Sequence, residues 1–166
     1  MPMEEKMVPL DAAQREVRKM ADMMAALYRH FSQEIIDAVG EAKGVEIIQN
    51  AVWRYGQERG RQHREKVLGQ GFPDEPESYT KLPDLPAFGW DVEKLSATNP
   101  SHVRVTYCPF AAHWKEKGFQ KIGRLYCAVD QAKYSAFHEN SDYAHLQNTL
   151  DGDDCCEMIC RKKVEP

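Results

Sequence analysis

The chain has 166 residues, a formal net charge of −4, and a composition that is 42% hydrophobic and 29% charged. That length supports one domain with a real core, residues 1–166, and the mild acidity gives no electrostatic reason to expect nucleic acid or an anionic membrane as a partner. No apolar run reaches bilayer length, the first residues lack a signal-type apolar core, and the five cysteines, an odd number, argue for free thiols in a cytoplasmic protein.

Asp11 followed three residues later by Gln14 reads as a capping box. Val17, Met20, Met24, Leu27, Phe31 and Ile35 then recur at three- and four-residue intervals, which predicts a long amphipathic helix ending near Gly40, its methionine-rich stripe read as adaptable core filler, with the lining of a ligand site the alternative. A second helix is predicted from about Val45, with Ile48, Val52 and Tyr55 on one face. It carries Gly56 and Gly60, which suggest close approach of another backbone or of a ligand, since each costs roughly 1 kcal/mol relative to Ala. Arg54, Arg59, Arg61 and Arg64 read as a solvated charged face beside Glu58 and Glu65, with carboxylate binding the alternative.

Residues 69–86, with four prolines and several acids, read as a long irregular connection between a helical part (1–68) and an α+β part (87–166). "FGWDVEKLSA" and "HVRVTYC", separated by the turn "TNPS", read as a hairpin. A short helix over "FAAHWKEKG" is stopped by Gly118, and the helical stretch "GRLYCAVDQAKYSAF" follows. A second hairpin, "AHLQNTL" and "CCEMICRK" around "DGDD", closes the chain. The fold class is therefore α+β: N-terminal helices, then two β-hairpins flanking central helices, forming a small antiparallel sheet covered by helices.

On a helix Cys127 and Asp130 share a face, and an acid there makes the thiolate harder to form, so Asp130 does not activate the sulfur by charge. Strand alternation puts Cys156, Met158 and Cys160 on one face and Cys155, Glu157 and Ile159 on the other, with Cys156 directed inward and Glu157 to solvent. Cys108 ends a strand just before a helix start, where amides and the macrodipole favour a thiolate. Each thiol has a plainer reading as core filler, and Asp130 has one on an exposed side next to Lys133. Cys108, His113, Cys127 and Cys156 could compose a thiolate-rich zinc site, but there is no CxxC knuckle, and no resident metal or cofactor is expected. Phosphate loops, the GxSxG elbow and the HExxH helix are absent from the sequence.

Together "WRYGQERG", "YCPFAAHWKEKG", "YCAVDQAKYSAF" and "LDGDDCCEM" resemble the L-2-amino-thiazoline-4-carboxylic acid hydrolase family from about Ala51 to Cys160. The resemblance implies hydrolysis of a cyclic carbon–nitrogen bond in a small amidine. CxxD followed by a remote Cys also resembles, over a few residues, the Cys, Asp and Cys arrangement of organomercurial lyases. The expected catalytic residues are Cys127, Asp130, Cys108 and Cys156, with His113, Arg124 and His145 binding substrate. Cys127 or Cys108 would attack the amidine carbon and Asp130 would shuttle the proton, or else water attacks and the cysteines set only shape and polarity. The alternative from another class is a noncatalytic module that binds a small ligand or soft metal through Cys108, Cys127 and Cys156. The expected partner is a small-molecule substrate, with self-association into a homo-oligomer left open.

Overall fold

The computed structural model describes residues 7–86 and 88–163. Helix α1 (Leu10–Val39) and helix α2 (Glu41–Gly69) are joined by Gly40 alone, whose φ of +82° belongs to the left-handed region that glycine enters without strain. The chain folds back at this point, so that Ile35, Ile36 and Tyr28 pack with Ile48 and Val52.

The start of α1 differs from the capping box. Pro9 is the N-cap, no side chain caps the helix, and Asp11 instead pairs with Arg15 one turn on, at 2.6 Å. The buried face of α1 also differs from the methionine stripe. Ala21, Ala25 and Ser32 are the buried positions, whereas Met20, Met24, Leu27 and Phe31 are exposed. The reason lies in what α1 meets: the Trp114 indole donates to the Ala25 carbonyl at 3.0 Å, and so bulky a partner needs small residues opposite it.

Helix α2 begins four residues before Val45, and its glycines have the predicted role. A Cβ on Gly56 would lie 2.6 Å from the Val129 carbonyl oxygen, and one on Gly60 would overlap the Lys133 carbonyl oxygen. Both neighbours belong to α5 (Ala128–Phe137), so α2 and α5 touch backbone to backbone. The charged face is only partly solvated, because Arg59 holds Asp84 at 2.8 Å with both side chains largely covered.

The connection over 69–86 is not wholly irregular. A 3₁₀ helix, Pro76–Lys81, buries Ser78 and Tyr79, and Tyr79 joins Val67 and Phe137 in an apolar cluster. The predicted hairpins follow. β1 (Asp91–Lys94) pairs antiparallel with β2 (Val103–Tyr107), and β3 (Ser141–Gln147) pairs antiparallel with β4 (Cys156–Lys162). Their inner strands join with Val105 opposite Cys156, giving one antiparallel sheet of order β1-β2-β4-β3. Between the hairpins lie α3 (Pro109–Glu116), α4 (Gln120–Tyr126) and α5, with Gly118 at φ +64° ending α3 as expected.

The helical stretch around Cys127 is broken. Cys127 is at once the C-cap of α4 and the N-cap of α5, so it stands at a corner and not within a continuous helix. Trp114, Ala111, Ala25 and Leu150 form the aromatic-rich cluster beneath that corner, with Tyr28, Phe110 and Tyr126 packed on it. Among the described residues, no helix is long and apolar enough to cross a membrane.

Candidate active site

Cys108 leaves β2 as the N-cap residue of α3. The amides of Phe110 and Ala111 favour its thiolate, as the helix-start argument predicts, but burial outweighs them and the thiol is pushed above its ordinary value. Cys156, the first residue of β4, is buried and accepts a hydrogen bond from the Thr149 amide at 3.4 Å. Burial raises its thiol as well. Cys156 and Cys160 are buried, as the alternation in β4 predicts, but Glu157 is not at solvent: its side chain is largely covered and meets His102 at 2.8 Å.

At the α4–α5 corner, burial pushes Cys127 up to about 12. The Asn148 amide and the Arg124 guanidinium oppose that rise, while Asp130 and Cys108 add to it. Asp130 thus acts on the sulfur in the direction the sequence implies, but removal from water is the larger cause. Asp130 lies in the first turn of α5 and accepts from Lys133 Nζ at 2.9 Å.

That lysine is buried, contrary to the exposed-side alternative for Asp130. Lys133 Nζ also lies 2.6 Å from Asp84, which in turn accepts from Arg59 and from the Tyr79 hydroxyl, each at 2.8 Å. Burial alone would lower Lys133, but the two carboxylates outweigh it and hold the ammonium charged. Asp84 stays below the usual carboxylate range because its cations and the phenol overcome burial.

Cys108, Cys127, Cys156 and Asp130 line one cavity of about 540 Å³, walled mostly by apolar side chains such as Trp114, Tyr126 and Leu150. Asp130 also opens onto a second chamber of about 270 Å³ that holds Lys133 and Asp84, and Trp90, Leu85 and Pro86 border both. The three predicted binding residues are not among those lining either chamber. His113 faces α1, with Nδ1 2.7 Å from Asp22 Oδ1. Arg124 donates to Asp151 at 2.8 Å and acts on Cys127 from behind the wall. His145 sits on β3 with Nε2 3.4 Å from the Tyr143 hydroxyl, and burial lowers its pKa.

One lining residue was missed. Asn148 is 2% exposed, and its Oδ1 accepts from the Leu150 amide at 2.9 Å, which fixes the orientation of the carboxamide. Its Nδ2 lies against the Cys127 sulfur and has no hydrogen-bond partner of ordinary geometry among the described residues. The acidic turn holds it there: the Asp153 carboxylate accepts from the Asn148 backbone N–H at 2.7 Å, and the Asn148 backbone carbonyl accepts from the backbone amides of Asp151 and Asp153. An Asn two residues before Leu150 at the head of "NTLDGDD" is an Asx-turn pattern, and that was the available signal.

The family described as L-2-amino-thiazoline-4-carboxylic acid hydrolase matches residues 16–160. The chain belongs to that family. No curated protein and no solved structure matches it. Membership makes hydrolysis of the kind the family name describes the activity to be weighed against this cavity. Among the described residues no group of three or more His, Cys, Asp or Glu side chains is arranged to hold a metal ion.

Proposed function

We propose that the chain is a hydrolase that opens a carbon–nitrogen bond in a cyclic amidine or amide, with Cys127 as nucleophile and Asp130 as proton carrier. The observation that supports it is the convergence on one cavity of Cys127, Asp130 and the side-chain amide of Asn148, which lies against the Cys127 sulfur. Cys127 is preferred over Cys108 because Asp130 follows it in the first turn of α5, where its carboxylate can carry the proton.

A thiol pushed up to about 12 is protonated at neutral pH, so its proton must leave as it attacks. In the proposed sequence the Cys127 sulfur bonds to the amidine carbon while its proton passes, through Asp130, to the ring nitrogen. The exocyclic nitrogen then pushes its lone pair toward that carbon and releases a proton, which Asp130 carries to the ring nitrogen as the ring carbon–nitrogen bond breaks. Water adds to the resulting thioimidate carbon, and expulsion of Cys127 restores the thiol and leaves a carbonyl. One water is consumed, one carbon–nitrogen bond is broken, and nothing is oxidised or reduced. The Asn148 amide would donate to charge building on the sulfur and then on the added oxygen.

The test is ring opening of 2-aminothiazoline and its 4-substituted derivatives, followed by release of the new amine. Asp130→Asn should abolish turnover with the circular dichroism spectrum of the fold retained, although loss of the Lys133 ion pair lowers the melting temperature, and Asn148→Asp, which keeps the Oδ1 acceptor for Leu150, should lower kcat by about 100-fold. Full activity in Asp130→Asn refutes the proton-carrier role. Turnover retained in Cys127→Ser but lost in Cys108→Ser moves the attack to Cys108; turnover retained in both assigns it to water.

A further inference from the structure

The charges that face the two chambers are unevenly distributed. Among the described residues they are Glu16, Arg59, Asp84, Asp130 and Lys133, three acids against two cations. Both cations are committed: Arg59 to Asp84, and Lys133 to Asp84 and Asp130. A bound carboxylate would therefore meet no uncompensated cation and would add a fourth negative charge. Among the described residues Asp130 has a single partner, Lys133 on Oδ1, which leaves Oδ2 available to a donor from the cavity.

Size and polarity point the same way. The family's named substrate is a single five-membered ring with one amino and one carboxyl group, far smaller than a cavity of about 540 Å³, which is in the range that encloses a drug-sized ligand. The walls are aromatic and aliphatic, and the apolar surface continues outward through Met20, Met24 and Leu85, all at least 41% exposed. This explains the methionine stripe: its upper part forms a rim around the cavity, where flexible thioethers can accommodate differently shaped substituents.

We infer that the substrate is an apolar-substituted cyclic amidine, held by its amidine nitrogens at Asp130 with its hydrocarbon or aryl group against Trp114, Tyr126 and Leu150, and that it carries no carboxylate. The inference rests on the reading of this cavity as the substrate site and concerns what binds there, so binding and turnover test the two separately.

The experiment compares 2-amino-4-phenyl-thiazoline with 2-amino-thiazoline-4-carboxylate by titration calorimetry on the full chain with Cys127→Ser, which blocks consumption of the ligand. Burial of a phenyl group predicts about 10- to 100-fold tighter binding of the phenyl compound. Asp130→Asn, checked for an unchanged circular dichroism spectrum, should weaken that binding by about tenfold through loss of a charge-assisted hydrogen bond. Equal or tighter binding of the carboxylate overturns the inference, as does unaltered phenyl affinity in Asp130→Asn. Tight phenyl binding with no ring opening by the unmodified chain upholds the ligand class and refutes the catalytic reading instead.

Discussion

Replacing Gly60 by Ala sets two physical effects of opposite sign against each other. Ala is the better helix former by roughly 1 kcal/mol in a helix interior. Its Cβ, however, would overlap the Lys133 carbonyl oxygen and lie 3.0 Å from the Ala136 Cβ, and neither neighbour can rotate away. Relief requires the α2 and α5 backbones to part by about an ångström, and overpacking of this kind costs about 3 kcal/mol at the upper end of its usual range. The net expectation is a loss of about 2 kcal/mol, which in a chain of this size lowers the melting temperature by roughly 4 to 8 °C. Gly69→Ala is the internal control, since nothing lies within 4 Å of a Cβ there. It keeps a few tenths of a kcal/mol of the propensity gain at a helix end, with no steric cost. Urea unfolding followed by circular dichroism reads both, provided the slope is unchanged. A Gly60→Ala protein as stable as the original would refute the backbone contact between α2 and α5. Because α5 carries Asp130, the same variant should also lose turnover.

Two further outcomes follow from the charged and thiol groups. Lys133→Met leaves Asp130 without its ion-pair partner while Asp84 keeps Arg59 and Tyr79, and should destabilise the fold by about 3 kcal/mol in thermal melts. Adding Asp130→Asn should recover part of that loss, and no recovery would count against the pairing. The Cys127 thiol, raised from 9.0 to about 12, binds its proton more tightly when folded. Its contribution to stability is therefore complete below pH 9 and lost as pH rises toward 12. The stability difference between the original chain and Cys127→Ser should shrink over that interval in urea titrations, and a constant difference would refute burial of the thiol.

Much of the fold was legible because its signals are local. "TNPS" between two alternating segments, Gly118 after a short amphipathic run, and the period-two pattern of β4 each depend on backbone preferences over a few residues. Gly56 and Gly60 were legible for a different reason: their helical cost needed a compensating contact, and α5 provides it. The inward face of α1 was not legible, since two stripes share the helical period and the choice between them depends on Trp114, which is distant in sequence. Burial of Lys133 likewise depends on Asp84 from the long connection, a residue no spacing argument ties to α5. His113 illustrates the converse: closeness in sequence to Cys108 suggested a shared site, yet its position on α3 turns it toward Asp22.

The antiparallel seam between β2 and β4 bears on how the chain reaches this structure. Val105 and Cys156 pair across it although the three central helices separate them in sequence. Closing so long a loop is entropically costly and slow, whereas α1 and α2, joined by one residue, can meet early. The cavity walls come from both sides of that seam, so during refolding the helical hairpin should gain protection first, and the cysteines should be shielded from alkylation only when the two strand pairs finally join.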